Sequence, residues 1–405
     1  MLPRDPARLL HKGEASQRAS FLELFFDLVF VFALTRVVAR AAEDLTGRAA
    51  IDQPAAVLVG ATKVLFLLLA LWSVWHGTAW TTSRYDPYQP MVQATVLIAL
   101  VAGMVMGVAI PRAFSINAEA FVAGYLVAQL GRSLLLAIAL RGHVQQRLEV
   151  RMLITYAATA VLWILGLIFA WVGTRLLFWL PALVIEYLAN RFGWPVPGLG
   201  RSAPHTWSIA GEHLAERYQQ FFLVALGEAI LVTGLTYAAG GRSPASTFAF
   251  ALTLTISIVI WRIYFYRAGQ IFADALARSR RPAHIGTSAA DSHLLIIIGV
   301  ITTAIGFELA ITHPTEHAPL PWLAVILGGP ALFMVGRSRF EYEVFNRVSP
   351  SRLVAIGLLL VLVPALLRTP TLVALAASAT VLTGVALADA RRAWGKPPEP
   401  PAPPI

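Results

Sequence analysis

FLELFFDLVFVFALTR, residues 21–36, decides how the chain is read. With the residues that follow it forms an apolar run long enough for a bilayer core, which needs about 20 residues per helix. Yet it carries Glu23, Asp27 and Arg36. A charge inside a membrane costs roughly 2.5–3.5 kcal/mol on insertion scales, so each one needs a reason. Ser20 with Glu23 has the spacing of a capping box, in which each residue satisfies the other's free backbone N–H. That explanation does not reach Asp27, four residues and about 6 Å deeper on the same face.

Working outward, apolar runs of the same kind recur about twelve times: 21–43, 54–80, 90–110, 116–140, 151–172, 175–189, 210–238, 245–268, 291–311, 320–337, 352–367 and 371–390. They are continuous rather than alternating, which favours helices over strands. The 405 residues are 57% hydrophobic and 13% charged, with a mean hydropathy of +0.68. Soluble domains carry roughly 25% charged residues. Absence of cysteine excludes disulfides, thiolate metal sites and a cysteine nucleophile. The net charge of +10 raises nucleic acid as a partner. The basic residues, however, divide 21 to 6 between alternate connections, the pattern that orients membrane helices with both termini in the cytoplasm. The charge is therefore topological. No nucleic acid is expected; the lipid bilayer is the partner, with a small ion or solute as the candidate ligand.

Shifting the chain by 189 residues brings Glu23 onto Glu212, Asp27 onto Glu216, Trp72 onto Trp261 and Trp75 onto Tyr264. Gly131-Arg132-Ser133 meets Gly336-Arg337-Ser338 at a larger offset. The expected fold is an all-α integral membrane protein of about twelve transmembrane helices in two parallel six-helix repeats. The segments would be a cytoplasmic N-terminal stretch (1–20), a first half (21–190), a cytoplasmic linker (191–209), a second half (210–392) and a proline-rich disordered tail (393–405). The polar stretches near 190–208 and 269–290 read as loops of some twenty residues. The N-terminus does not read as a cleaved signal, because its apolar stretch is interrupted by charge.

The candidate ion-, proton- or substrate-linked residues are Glu23, Asp27, Glu212, Glu216, Glu228, Arg132, Arg337 and Arg217. Asp27 and Glu216 would be paired intramembrane acids, Arg132 and Arg337 their counter-charges, and Glu228 a deeper relay. Lys63, Glu186, Arg262 and Glu308 are further charges inside apolar runs. Trp72, Trp75, Trp261 and Tyr264 are candidate aromatic lining residues, with packing or interfacial anchoring as the competing account. His213 and Glu216 have a spacing seen in metal sites, but without a second cluster no metal or cofactor is expected. Metalloprotease, nucleophile-elbow, phosphate-loop and dinucleotide motifs are absent, which argues against an enzyme.

Three stretches resemble one known family. ELFFDLVFVFALT from Glu23, WHGTAWTTSRYDPY from Trp75 to Tyr88, and HLAERYQQFFLVALGEAIL from His213 are similar, in order, to motifs of the bacterial low temperature requirement protein A family. Arg36 stands where that pattern has Gln, and Ala229 where it has Ser. The resemblance implies a multi-pass protein of the bacterial inner membrane, associated by name with growth in the cold, and supplies no activity. A proton- or ion-linked transporter or channel is the leading expectation. A non-transporting sensor or stress-response factor for growth in the cold, acting through loop residues such as Arg280 and Arg281, is the alternative. A lipid-acting membrane enzyme is a second.

Overall fold

The computed structural model describes residues 9–10, 18–46, 54–169, 174–202, 209–278, 282–395 and 399–402. Arg280, Arg281 and parts of the N-terminal segment, the linker and the tail lie outside the described residues. Backbone packing divides the chain into two compact units. One comprises Met1–Arg36, Phe66–Arg217 and Arg281–Thr287; the other comprises Val37–Leu65, Tyr218–Arg280 and Ser288–Ile405.

Among the described residues the structure is helical throughout, with no strand longer than an isolated bridge. The helices are α1 (Phe21–Thr46), α2 (Pro54–Arg84), α3 (Pro90–Ala109), α4 (Ala118–Ala139), α5 (Gln146–Ile168), α6 (Thr174–Phe192) and α7 (Gly211–Ala239). They continue with α8 (Pro244–Tyr264), α9 (Gln270–Arg278), α10 (Pro282–Thr312), α11 (Leu320–Ile326), α12 (Gly328–Phe345), α13 (Pro350–Leu366) and α14 (Thr371–Ala393). Prolines open several of them: Pro90, Pro244 and Pro350 sit at the first turn, where a missing N–H costs nothing. Ser243 caps α8 by accepting from the Ser246 N–H at 3.0 Å. Asn346, in the left-handed region at φ 52°, stops α12.

Nine spans among the described residues are long and apolar enough to cross a membrane. Helices α1 and α6 are not among them, because Glu23, Asp27 and Arg36 interrupt one and Arg175, Glu186 and Arg191 the other. Helix α13 is apolar but short. A helix stands at each of the twelve apolar runs, and the tenth run is two helices, α11 and α12.

The expected loop at 269–290 is a correction: it holds α9 and the first turns of α10. Phe272, Ala275 and Leu276 lie three or four residues apart and are fully buried, so one apolar face anchors α9. Between α8 and α9 the helical path breaks at Tyr266 (ψ 116°) and Arg267 (φ 55°). In the tail, Glu399 accepts hydrogen bonds from Arg267, at 3.2 Å, and from Arg347.

In the first unit α3, α4, α5 and α6 pack in chain order. In the second, α12, α13 and α14 do so, and α14 also packs on α8. Backbones approach closely where a glycine allows it. A Cβ on Gly299 of α10 would lie 2.3 Å from the Phe333 nitrogen of α12. Gly299→Ala must therefore push α10 off α12, lowering stability by about 1–3 kcal/mol. Gly234→Ala in α7 meets nothing within 4 Å and should leave stability unchanged or slightly raised. Thermal unfolding of the two detergent-solubilised variants distinguishes the sites.

Candidate functional site

The first turns of α1 and α7 carry the densest buried charge in the first unit. At the entrance of α1, Ser20 and Glu23 form a reciprocal cap: the Ser20 N–H and hydroxyl donate to Glu23 Oε2 at 2.8 and 2.9 Å, and the Glu23 N–H reaches Ser20 Oγ at 3.4 Å. Glu23 is fully buried and has a further partner, His213 Nε2 at 3.2 Å. Four residues on, Arg217 donates through both terminal nitrogens to Asp27, at 2.9 and 2.7 Å, a two-pronged ion pair. Its Nε lies 3.4 Å from Glu23 Oε1. The Trp75 indole N–H of α2 donates to Asp27 Oδ1 at 2.8 Å.

The result is a two-rung ladder. Glu23 faces His213 and Asp27 faces Arg217, each pair 190 residues apart in sequence, so the two helices run parallel here. Both rungs follow from i,i+4 spacing, which puts the residues of each pair on one helix face. All four side chains are buried.

Proton counting defines what the upper rung can do. His213 Nδ1 lies 2.9 Å from Ser83 Oγ, which lies 2.8 Å from the Ala79 carbonyl, while His213 Nε2 faces Glu23. These three contacts need three protons. An imidazolium supplies two and the serine hydroxyl one, whereas a neutral imidazole leaves one contact without a proton. Which ring nitrogen carries hydrogen therefore decides which of these contacts are hydrogen bonds, and the bonding of His213 depends on its tautomer and protonation.

The expected counter-charges are a correction. Arg132 donates to Gln129 Oε1 and, at 3.4 Å, to Tyr156. Arg337 donates to the carbonyls of Ile263 and Tyr266 at 3.0 and 2.7 Å, groups left open by the break after α8. The cation that meets Asp27 is Arg217. The acids at the start of α7 also differ from those of α1: Glu212 is exposed, and Glu216 is half-buried with the Ala19 N–H donating to it at 2.8 Å. Residues 212 and 216 share a face of α7 turned about 100° from that of 213 and 217, and the latter face meets α1.

Glu228 is fully buried, and neither of its oxygens has a hydrogen-bond partner among the described residues. Trp72 and Trp75 are buried in an aromatic run with His76, while Trp261 is 48% exposed. Tyr264 is buried and bonded to His293 Nε2 at 2.9 Å. Among the described residues no group of three or more histidines and acids could hold a metal ion. His213 and Glu216, the weak metal candidates, have the partners given above.

Two groups of polar contacts escaped the sequence reading, although Glu186 itself stood out as a charge inside an apolar run. Glu186 of α6 receives Thr159 Oγ1 at 2.7 Å, the Trp163 indole at 3.2 Å and the Tyr125 hydroxyl. Glu149 of α5 receives the Tyr85 hydroxyl at 2.9 Å. Tyr85 lies just beyond α2, and burial together with the Glu149 carboxylate pushes its phenol up from its ordinary value, so it remains a donor. Ser83 was also missed; nothing in its local sequence marks it as a partner of residue 213.

A multi-helix membrane protein with a charged ladder inside its bundle is the class that fold and site define. The family described as Bacterial low temperature requirement A protein (LtrA) matches residues 18–387. An uncharacterized protein of Rhizobium meliloti (strain 1021) is 32% identical over 345 residues, covering 84% of this chain and 81% of that one. The chain belongs to the bacterial low temperature requirement A family. No solved structure matches it.

Removing one member of a buried ion pair leaves the other uncompensated and costs about 3–5 kcal/mol. Asp27→Asn and Arg217→Gln should each destabilise by that order. The double variant should cost less than the sum of the two, because the residues act as one unit. Denaturation of all four forms in detergent measures the coupling; additive costs would show that the pair is not a unit.

Proposed function

We propose that the chain is a proton-linked transporter or channel of the bacterial inner membrane whose working group is the ladder of Glu23, Asp27, His213 and Arg217. The observation that carries this reading is the place of His213, buried between the Glu23 carboxylate and the Ser83 hydroxyl. A scaffold needs only fixed pairs, such as Asp27 with Arg217. A group whose bonding depends on one exchangeable proton does more than hold helices together, and histidine is the side chain whose ordinary pKa suits that use. Asp27, with three donors aimed at it, serves as the fixed counter-ion rather than the proton carrier. His213 is the exchanging group, and its proton loss changes which of its contacts with α1 and the end of α2 are hydrogen bonds.

The accompanying architecture is twelve spanning helices in two six-helix repeats of the same orientation, with both termini in the cytoplasm. Three observations support the repeat. The ladder helices run parallel, as equivalent first helices would. The order of neighbours α4–α5–α6 has its counterpart in α12–α13–α14. Arg132 lies against Gly77 and Arg337 bonds to the Tyr266 carbonyl, positions related by the same 189 residues that relate the acids. The distribution of basic residues supports the orientation.

In vesicles loaded with a pH dye, with a potential imposed by potassium and valinomycin, the wild-type chain should acidify the lumen faster than empty vesicles do. His213→Gln and Asp27→Asn should reduce the rate to the empty-vesicle level. Full flux in His213→Gln would remove that residue from the path, and no flux from the wild type would remove the transport reading.

The natural absence of cysteine makes orientation testable with single replacements. Ile116, 72% exposed between α3 and α4, should become labelled by an impermeant maleimide in intact cells when replaced by Cys. Val144, 74% exposed between α4 and α5, should react only after the membrane is opened. The reverse pattern would invert the topology.

A further inference from the structure

The two Gly-Arg-Ser arginines are used differently. Arg337 gives two nitrogens to the carbonyls of Ile263 and Tyr266. In the other unit α2 runs unbroken through the corresponding stretch, so it presents no open carbonyls to Arg132. Arg132 is 1% exposed, its Nη2 is bonded to Gln129 and Tyr156, and its Nε and Nη1 have no hydrogen-bond partner among the described residues. No carboxylate comes within ion-pair distance of it among the described residues. The guanidinium lies flat on the backbone of Gly77: a Cβ there would stand 2.5 Å from Nη1 and 2.7 Å from Cζ. The neighbouring residue, His76, has a buried ring nitrogen, Nε2, that is likewise without a partner among the described residues. Its ring stacks on Trp72 at 5.8 Å and lies 5.7 Å from Trp80.

We propose that Arg132 and His76 form a binding site for a small monovalent organic anion, a carboxylate. Unbonded donors on a buried cation are the recognition chemistry of an anion. The aromatic flank of His76 suits a ligand with an apolar portion rather than a bare halide. Glu149 and Glu186, both within electrostatic reach of Arg132, oppose a second negative charge and so select against sulfate or phosphate. Gly77 is the cradle that lets the guanidinium lie where it does. Arg132 and His76 are not members of the ladder, and binding to them requires no flux.

Calorimetric titration of the purified full-length chain with sodium propionate, at ionic strength held constant with sodium chloride, tests it. Saturable binding is expected for propionate and not for sulfate. Arg132→Gln should weaken propionate binding by about tenfold or more, the loss of one charge-assisted hydrogen bond. His76→Phe should weaken it severalfold, while Arg242→Gln in an exposed connection should leave it unchanged. Should Arg132→Gln fail to fold, His76→Phe decides the matter alone. Absence of saturation with propionate, equal binding of sulfate, or unchanged affinity in Arg132→Gln or His76→Phe would each overturn the assignment.

Discussion

Everything distinctive about the entrance of α1 depends on one constraint: a charged carboxylate one turn inside an apolar helix needs a buried partner, and at Asp27 that partner is a cation. Asp27 satisfies it with Arg217, through two hydrogen bonds, and with the Trp75 indole. Those contacts tie α1 to α7 and α2 at a single point. Glu23, one turn earlier, inherits the same geometry, because on two parallel helices a second pair four residues away must also face each other. The capping box and the ladder are therefore one device. Glu23 Oε2 ends the backbone of α1 on one side and meets His213 on the other.

Much of this was legible in the sequence. Apolar length places the helices, since lipid leaves backbone groups no partner but each other, and a helix lies at every apolar run. The cost of a buried charge singled out Asp27, and the resemblance of three stretches identified the family. Which cation meets Asp27 was not legible. Depth in the helices pointed to Arg132 and Arg337, whereas the partner is Arg217, and that choice depends on a rotation of about 100° between adjacent residues of α7. Sequence spacing fixes which residues share a face but not which face turns toward a partner. Ser83 and Tyr85 are harder still: a serine and a tyrosine at a helix end look like any other turn residues until their partners, His213 and Glu149, are known. The stretch 269–290 was misread because its polar content masked the short apolar face of α9.

The two Gly-Arg-Ser stretches show how equivalent positions can diverge without a change in the arginine. Helix α8 breaks at Tyr266 and Arg267, which frees carbonyls that would otherwise accept helical hydrogen bonds. Arg337 takes them up, so its charge is absorbed by the backbone of its own unit. Helix α2 continues to Arg84, its carbonyls already engaged, and Arg132 rests on Gly77 with donors to spare. A kink in one helix and a glycine in the other thus decide whether the same cation is structural or available to a ligand.

The proposed proton linkage places its own demand on the ladder. A bidentate arginine and an indole N–H leave Asp27 bonded in the manner of a carboxylate, and protonating it would turn one of three donors away. Protonation of Glu23 would likewise place a proton among the Ser20 and His213 donors. His213 is different, because either of its ring nitrogens gives up a proton with only one contact affected, and Ser83 can reverse its hydroxyl from the Ala79 carbonyl to the ring. A group with two acceptable states, set where three helices meet, is the minimum a proton needs in order to be felt by the bundle.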